Sequence, residues 1–548
     1  MARIRPARPG PDTAAAAGPV PWTLLVPVFT GPFMALLDLS IVTVALPGMQ
    51  ASLHTSFAAL QWVIDGYTLA LSALLLTAGS LGDRYGRRRL YLAGIAVFTV
   101  GSAICAASGT TGLLIAGRII QGAGATSLIP GSLSILAQAF PDSGHRARMI
   151  GVWGGCGSLA VALGPVLGGI LTEEAGWHAI FLVNLPIGIL AVFLGARSIP
   201  ETADPGHASA DPAGQAASIV WLGALTFGLI QAGTRGWASP ATVIPVAVAV
   251  AGLGVFMTIE ARSAHPMLPL EMFRVPLFAV ANLASFALGF GAYSVFTFLS
   301  LYLQDVQGDT AISAGLRFLP LCGAIAVTSV YAGKLTARTG PSLTMTAGYA
   351  LTAGGLLTMA AFGPATGYLT IALVFALFGT GMGLSITPTT ASAIGASQRQ
   401  RSGIASGTVN AARQAGTTVG IAALGSIIAS QAVSGLSRAL AIRHVPAPLA
   451  HKAATAAVTA HRSGAATGTG LSRAALTQLY GQAFTIGMHL AAIIAGTVTL
   501  LAAMLPLTHW VAGRRNVTAG GRWRARRRRT ARTRAAGTPP SSLRSWRW

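Results

Sequence analysis

The chain has 548 residues, of which 53% are hydrophobic and only 9% are charged. A water-soluble domain carries roughly 25% charged residues, so this composition excludes an ordinary soluble protein and indicates repeated membrane crossing. The formal net charge of +23 suggests nucleic-acid binding at first sight. However, the basic residues lie in short loops between apolar runs and in the tail from Arg514 to Arg547, which is typical of a membrane protein.

Fourteen apolar runs have the length needed to cross a membrane, which is about twenty residues. They lie near residues 22–46, 59–80, 90–108, 112–139, 149–171, 178–197, 214–233, 241–260, 277–303, 311–332, 342–362, 367–394, 404–430 and 482–507. Basic residues concentrate in every second short loop, as in the link from Arg84 to Arg89, and such loops lie in the cytoplasm. We therefore expect an all-α polytopic protein of the plasma membrane, with fourteen transmembrane helices and both termini in the cytoplasm.

An internal repeat divides the apolar region into two halves. The pattern Gly79-x-Leu81-x-x-Arg84-x-Gly86 returns as Gly333-x-Leu335-x-x-Arg338-x-Gly340. Each copy lies between the second and third spans of a six-span block if spans seven and eight are set aside. Two parallel six-span halves are one basis of a transporter whose substrate site lies between them. The sequence therefore predicts two six-helix bundles plus two inserted helices.

This organisation predicts six segments. They are a cytoplasmic N-terminal segment at 1–21, an N-terminal six-helix bundle at 22–200, a cytoplasmic linker at 201–213, two inserted transmembrane helices at 214–260, a C-terminal six-helix bundle at 261–508 with an extracytoplasmic loop at 431–480, and a basic cytoplasmic tail at 509–548. The first apolar run is about 25 residues long and lacks a clear cleavage site, which favours an uncleaved span over a signal peptide. The Ala-rich loop 431–480 is compatible with an amphipathic helix.

Few ionisable residues lie deep inside a predicted span. They are Asp38 in span 1, Asp65 in span 2, Arg118 in span 4 and Arg413 in span 13. Such residues are costly in a bilayer and are functional candidates. The helical rise places Asp38, Arg118 and Asp65 at a similar depth. A movable Asp38–Arg118 pair would let the carboxylate alternate between holding and releasing a proton; the alternatives are a static ion pair and, for Asp65, a hydrated position in the outer interface.

Two glycine-rich stretches need more than a simple structural explanation. The basic link after span 2 has glycines at 79, 82 and 86 and an acid at Asp83, none of which a basic turn requires. In span 5, Gly164 and Gly168 share one face beside Pro165, a spacing that lets helices approach closely and a residue that permits a bend. We expect the first stretch to act in gating and the second to form a tight contact near the outer gate.

The remaining residues offer no sign of an enzyme or a cofactor. The ten histidines have no metal-ligand spacing, and no nucleotide-binding loop is present. Cys105, Cys156 and Cys322 each fall inside an apolar span and are expected to be buried residues without disulfides. The expected energy source is an ion gradient, with no cofactor and no metal.

At this point the residues resemble a known family. Gly79-x-Leu81-x-Asp83-Arg84-x-Gly86-Arg87-Arg88 resembles motif A of the major facilitator superfamily, Leu114-x-x-x-Arg118-x-x-Gln121-Gly122-x-Gly124 resembles its motif B, and Gly164-Pro165-x-x-Gly168-Gly169 resembles its antiporter motif C. The stretches Leu37 to Pro47 and Gln61 to Leu69 are similar to those of the fourteen-span drug:proton antiporters. The sequence departs from that pattern at Ser40-Ile41-Val42-Thr43 and at Trp177-His178-Ala179-Ile180-Phe181.

The resemblance implies the major facilitator fold and alternating access with import of protons. It implies that Asp83 and Arg87 belong to an inner-gate charge network, that Arg118 takes part in proton transfer, and that motif C sets the direction of antiport. Gly333, Arg338 and Gly340 would be a second-half counterpart of motif A. Because Ala337 replaces the acid there, Asp83 is the residue that the first half adds.

The resulting prediction is a proton-coupled efflux transporter that exports drugs, antibiotics or other hydrophobic compounds, with small hydrophobic or cationic substrates, protons and the bilayer as partners. It would be a monomer, would bind no nucleic acid and would not be an enzyme. The alternatives are export of an endogenous metabolite, lipid or siderophore, and proton symport.

Overall fold

The computed structural model describes residues 22–140, 143–202, 211–263, 266, 268, 270–397, 402–459 and 473–535. Within these ranges, the side chains of residues 76–80, 83–84, 143–148, 456–459, 473–477 and 512–535, with some single positions, are outside the description. The part of the chain that the structure describes is built from helices without strands. The predicted all-α class is therefore confirmed.

The first half contains eight helical pieces. They are α1 (Trp22–Leu53), α2 (Phe57–Tyr85), α3 (Arg87–Ala106), α4 (Thr111–Ala125), α5 (Leu128–Ala139), α6 (Ser143–Ala175), α7 (Ala179–Leu182) and α8 (Asn184–Ser198). The fourth predicted span is divided between α4 and α5, because the chain leaves the helix at Thr126 and Ser127 just before Pro130. Proline cannot supply the N–H that would continue the ladder through this point.

The inserted pair and the second half follow. They are α9 (Pro212–Arg235), α10 (Pro240–Arg262), α11 (Pro276–Leu288), α12 (Ser294–Leu301), α13 (Ala311–Arg317), α14 (Leu319–Thr339), α15 (Pro341–Thr358), α16 (Tyr368–Gly395), α17 (Ser402–Ile442), α18 (Ala447–Thr459) and α19 (Arg473–Ala535). Short 3₁₀ turns occur at Leu270–Arg274 and Met359–Ala361. Two π-helical turns, Gly289–Tyr293 and Tyr302–Val306, flank α12 and continue the line of α11.

Thirteen helical segments of the described chain are long and apolar enough to cross a membrane, and several of them join consecutive pieces, such as α4 with α5 and α13 with α14. The one expected span that is not among these thirteen is 342–362, which corresponds to α15; this helix has 18 residues and does not reach that apolarity. Its buried positions include Ser342, Thr344 and Thr352, since α15 packs between α16 and α19. A helix enclosed by other helices can carry hydroxyls that bond to its own backbone, as Thr352 does to Gly348.

Local side chains set where several helices begin. The hydroxyls of Ser56, Thr110 and Thr310 accept backbone N–H groups at the first turns of α2, α4 and α13. Asp211 and Ser239 do the same for α9 and α10, where proline occupies the first position and has no N–H to satisfy. These caps place the short links at the two ends of the helical bundle.

The repeated glycine turn has the same backbone form in both halves. Gly86 between α2 and α3 has φ +107°, and Gly340 between α14 and α15 has φ +86°. Residues with side chains rarely adopt this left-handed region, so glycine is needed at both turns. We call the end of the bundle that carries Gly86 the Gly86 end, and the opposite end, where Thr55 joins α1 to α2, the Thr55 end.

The two halves also repeat a helix-packing arrangement. Gly122 and Gly124 of α4 lie against the backbones of α2 and α3, at Tyr67 and Phe98. In the second half, Gly379 and Gly381 of α16 lie against α14 and α15, where a side chain at either position would meet Leu321 or Thr352. The matching glycines therefore bring equivalent helices together in each half.

The helices α9 and α10 form a hairpin beside the junction of the two halves. The helix α9 packs on both α2 and α17: Gln215 donates to the carbonyl of Ala73 at 2.8 Å, and Gly233 lies against Ser426. The hairpin therefore covers one side of the junction between the two halves.

The predicted loop 431–480 contains helix at both of its ends. The helix α17 continues to Ile442, α18 follows, and α19 begins at Arg473. Apolar residues of all three helices pack into one cluster at the Thr55 end, including Leu436, Ala453 and Ala483. The helix α19 also runs on through the basic segment to Ala535, and residues 536–548 lie outside the described residues.

Candidate functional site

A fully buried ion pair lies at the centre of the first half. The Arg118 guanidinium of α4 donates through Nη1 to the Asp38 carboxylate of α1. Gln121, one turn after Arg118, donates to Asp38 Oδ1 at 3.1 Å and accepts from Arg118 Nη1 at 2.9 Å. The Nε of Arg118 donates to the carbonyl of Val63 in α2 at 2.9 Å. The structure thus brings Asp38 and Arg118 together and adds Gln121 as a bridge between them.

Three further side chains, which are not among the predicted site residues, complete this buried network. The Gln121 amide also donates to Ser102 of α3 at 2.7 Å, and Asn184 of α8 donates to the same hydroxyl at 3.3 Å. The ring of Tyr67 lies 4.4 Å from the guanidinium carbon of Arg118. Asn184 is a lone amide within an apolar span, and Tyr67 lies in the stretch Gln61 to Leu69 that resembles the antiporters, whereas Ser102 has no distinguishing signal in the sequence.

The glycines of motif B explain how α4 reaches these partners. A side chain at Gly122 would collide with the Tyr67 carbonyl, and one at Gly124 would lie 2.5 Å from the Phe98 backbone nitrogen. The absence of side chains lets α4 contact the backbones of α2 and α3 directly. Gly122 and Gly124 therefore position Arg118 and Gln121 and do not contact Asp38 themselves.

Asp65 lies on another face of α2 and does not join the ion pair. Its side chain is fully buried rather than hydrated, and its Oδ1 accepts from the Thr68 hydroxyl at 3.5 Å. Its Oδ2 has no hydrogen-bond partner within the described chain. The Thr418 hydroxyl of α17 donates to Thr68 at 3.0 Å. The structure therefore separates the two acids: Asp38 belongs to the first-half core, and Asp65 faces the second half.

The contact between α2 and α17, which we call the α2–α17 seam, is tight beyond Asp65 as well. Gln61 donates to the carbonyl of Ile421 at 3.0 Å, and a side chain at Gly425 would collide with the Gln61 amide. Nearer the Thr55 end, Phe57 of α2 stacks on Phe298 of α12. The seam is therefore closed along this part of the joint.

Motif C forms a second contact between the halves. Gly164 and Gly168 of α6 lie against α1 at Ser40 and Ile41, and the Ile41 carbonyl would be 2.7 Å from a side chain at Gly168. One residue further on, Gly169 faces α13, where the Ala311 carbonyl would be 2.5 Å from a side chain. Motif C is therefore enclosed between a first-half helix and a second-half helix near the Thr55 end.

Pro165 frees a backbone acceptor at this contact. The missing N–H of residue 165 leaves the carbonyl of Val161 without its helical donor, and Cys322 Sγ of α14 lies 3.9 Å from that oxygen. The Pro165 carbonyl itself faces Gly315 of α13. Ser40, which belongs to one of the departures from the family pattern, lies directly against Gly164. A side chain at Gly164 would collide with the Ser40 hydroxyl.

The link of motif A is held by an acid from the predicted linker. Glu201 accepts the backbone N–H groups of Arg88 and Arg89 at 3.2 Å each and contacts Gly86. The Arg87 N–H donates to the Thr202 carbonyl at 2.9 Å. The carboxylate of Glu201 therefore satisfies the free N–H groups at the start of α3, where an anion is favoured.

Part of motif A lies outside the described residues. The side chains of Asp83 and Arg84, and the surroundings of Gly79, lie outside the described residues, so the expected gate network at Asp83 and Arg87 stays a prediction. In the second copy, Arg338 is exposed, and nothing lies within 4 Å of a side chain placed at Gly333. Only Gly340 of that copy is required by its conformation.

The Thr55 end contains a further ion pair in the link before α13. Asp309 pairs with Arg317 at 2.8 Å and accepts from the Ser313 hydroxyl at 3.1 Å. Burial raises the pKa of the Asp309 carboxyl, and Arg317 and Ser313 oppose that shift. Among the described residues, no group of three His, Cys, Asp or Glu side chains is placed to hold a metal ion.

Comparisons with known proteins agree with this geometry. A family profile described as Major Facilitator Superfamily matches residues 28–421. The chain is 36% identical over 425 residues to the multidrug resistance protein Stp of Mycobacterium tuberculosis, covering 78% of this chain and 79% of that protein. It is 33% identical over 491 residues to the tetracenomycin C resistance and export protein of Streptomyces glaucescens, covering 89% and 91%.

A further relative is the methylenomycin A resistance protein of Streptomyces coelicolor, which is 36% identical over 401 residues. The matched region covers 73% of this chain and 84% of that protein. Among solved structures, a bacterial homologue of the human lysosomal transporter Spinster, in an inward-facing conformation, superposes with TM-score 0.61 at 16% identity, covering 89% of this chain and 97% of that one. That structure shares the fold. The chain is therefore a multi-pass membrane transporter, not an enzyme, and belongs to the Major Facilitator Superfamily.

Proposed function

We propose that this chain is a proton-coupled exporter of drugs or antibiotics that works by alternating access. The observation that carries the proposal is the buried Asp38–Arg118 pair, in a chain similar to proteins named for drug resistance and export. A buried carboxylate is stable while its cation remains beside it and becomes costly when that cation moves away. Proton uptake by Asp38 is then the neutralising step that accompanies movement of Arg118.

The arrangement of the halves supplies the direction of movement. The described contacts at Gly169, Gly315 and the α2–α17 seam close the Thr55 end. By the distribution of loop arginines, the Thr55 end faces the exterior and both termini lie in the cytoplasm. A hydrophobic compound would enter from the Gly86 end and bind between the halves, and opening of the Thr55 end would release it while a proton enters.

Asp65 is the second proposed proton carrier. It is buried without a cation among its described partners and lies at the seam that has to open. In this scheme Asp38 couples the proton to Arg118 within the first half, and Asp65 couples it to the contact between the halves. The transporter would act as a monomer in the plasma membrane, with the proton gradient as its only energy source.

The test uses everted membrane vesicles from a host that lacks its own efflux pumps. A panel of antibiotics that includes methylenomycin A and tetracenomycin C is added to energised vesicles, and proton release is followed with a pH-sensitive dye. We expect transported compounds to dissipate the pH gradient in the wild type, and Asp38→Asn to abolish this response with normal insertion. Undiminished proton release in Asp38→Asn would show that Asp38 is not the coupling site.

A second candidate is export of a compound that the producing cell makes itself. The similarity to a relative that is named for export as well as for resistance favours it. The two functions share one mechanism and differ in cargo. Deleting the gene and measuring secreted metabolites distinguishes them, because a self-made cargo accumulates inside the mutant cell.

A further inference from the structure

The second half contains a half-buried arginine, Arg413, that the proposed mechanism does not use. Arg413 of α17 is half-buried, and its Nη2 donates to the Asn410 amide oxygen at 2.6 Å. Its guanidinium carbon lies 5.5 Å from the ring centre of Tyr293. Its Nε is buried without an acceptor, and no carboxylate in the described chain lies within ion-pair distance of it.

The contrast with Arg118 shows what is missing. Both arginines lie deep in a membrane helix, where an uncompensated charge is expensive. In the first half, Asp38 neutralises Arg118, and Gln121 joins the pair. In the second half, the partners of Arg413 within the described residues are a neutral amide and an aromatic face. Most of its five N–H donors therefore remain for a group that the described chain does not supply.

The backbone around Arg413 is built to hold Tyr293 beside it. The π-helical turn Gly289–Tyr293 lies directly on α17, because a side chain at Gly289 would collide with the Arg413 carbonyl. Ser294 fixes the turn by contacting the carbonyls of Gly289 at 3.0 Å and Thr417 at 3.2 Å. Single π-helical turns within α-helices occur frequently at functional sites.

The place is also reachable and has a second donor. Tyr293, Asn410 and Arg413 are all half-buried, so one side of this cluster is open. The Tyr293 hydroxyl has no hydrogen-bond partner within the part of the chain that the structure describes. A planar guanidinium beside a phenol hydroxyl matches a planar anion such as a carboxylate, which accepts two parallel N–H groups.

We propose that Arg413 and Tyr293 bind the acidic group of the exported compound, a carboxylate or an ionised phenol or enol. The cargo class is then hydrophobic acids rather than hydrophobic cations. This inference rests on the proposed export function and specifies its substrate. The same anion chemistry exists in anionic lipid headgroups, and the experiment separates the two sources.

The experiment measures binding, so it does not depend on transport. The full chain is purified and placed in vesicles of phosphatidylcholine alone, and binding of fluorescent 1-pyrenebutyric acid is compared with that of its methyl ester. We expect the wild type to bind the acid at least about tenfold more tightly than the ester, as a charge-assisted hydrogen bond allows. Arg413→Gln should remove this preference without weakening binding of the ester, and Arg413→Lys should keep part of it.

The matched control is Arg317→Gln, which removes a cation whose partner is Asp309 at the Thr55 end. It should retain the preference for the acid. The inference is overturned if the wild type does not prefer the acid, or if Arg413→Gln still does. It is also overturned if phosphatidylglycerol in the vesicles displaces the acid from the wild type but not from Arg413→Gln, because the site then belongs to lipid.

A separate arm distinguishes failure of this inference from failure of the export function. An imposed pH gradient should still drive the methyl ester through Arg413→Gln, since the ester does not need the cation. Gradient-driven flux of the ester without any preference for the acid contradicts only the acid site. A preference for the acid in binding, with no gradient-driven flux of either compound, supports the acid site and contradicts proton-coupled export.

Discussion

The hydroxyl of Thr418 in α17 donates to the hydroxyl of Thr68 in α2 at 3.0 Å, which joins the two halves one step from the buried carboxyl of Asp65. Both hydroxyls are fully buried. The seam therefore contains a short polar chain that runs from the second half to an acid of the first. A change in the protonation of Asp65 alters its hydrogen bond with Thr68. It therefore alters the stability of the closed seam, because Thr68 also accepts from Thr418.

Thr418→Val should weaken the closed seam. It removes a buried hydrogen bond worth about 0.5–1.5 kcal/mol, which corresponds to roughly a two- to tenfold shift in the population of the open Thr55 end. The measurement is the rate at which a maleimide labels Cys322 in a variant that has no other cysteine. Thr499→Val is the matched control, because Thr499 is equally buried but bonds only to its own helix. Equal labelling rates in the two variants would contradict the role of the seam.

The pair of Asp38 and Arg118 should show strong coupling in a double-mutant cycle. Arg118→Gln leaves a buried carboxylate without its cation and should lower stability by about 3–5 kcal/mol. Asp38→Asn with Arg118→Gln should recover much of that loss, because no buried charge remains. Thermal unfolding in detergent across the four proteins measures the coupling. Additive losses would mean that the two charges do not interact.

Replacement of Gly169 should hold the Thr55 end open. In Gly169→Val, the new side chain meets the Ala311 carbonyl of α13, which is backbone and cannot turn away. The halves must separate there, so Cys322, which is 1% exposed in the closed form, should be labelled faster. Gly155→Val is the control on the same helix, since nothing lies within 4 Å of that position. A labelling rate no higher than that of the control would refute the prediction.

Glu201 should stabilise the link of motif A. Its carboxylate accepts two N–H groups at the first turn of α3, so Glu201→Gln should cost about 0.5–1 kcal/mol and lower the melting temperature slightly. The loss should shrink at high salt, since the interaction is partly electrostatic and exposed. Glu174→Gln, an exposed acid near the end of α6, is the comparison variant. Identical melting temperatures for the two variants would exclude this role of Glu201.

Several parts of the site follow from the sequence because they depend on local rules. Gly86 and Gly340 repeat in sequence, and both adopt a positive φ that other residues avoid. An acid and an arginine in apolar spans, at matched depth, predict the contact between Asp38 and Arg118. Of the fourteen predicted spans, α15 is the one that does not have the apolarity of the others, because a helix enclosed by protein need not be as apolar as one that faces lipid.

Other parts depend on which helix faces are turned toward each other. Asp38 and Asp65 look equivalent in sequence, but one faces Arg118 and the other faces Thr418 across the seam. Glu201 appeared only as the start of a polar linker, and its contact with the link of motif A depends on the return of α8 to the same end. Helical periodicity places a residue on a face and leaves the neighbour of that face undetermined.

The sequence by itself determined the membrane class, the repeat, the family and the identity of the deep ionisable residues. Each of these depends on composition, hydrophobic length or residues close together in the chain. Only the tertiary structure decided that Arg413, unlike Arg118, has no carboxylate partner among the described residues, and that motif C is enclosed between α1 and α13. Such pairings join residues far apart in sequence, and they are set by the packing of whole helices, for which no single residue carries a signal.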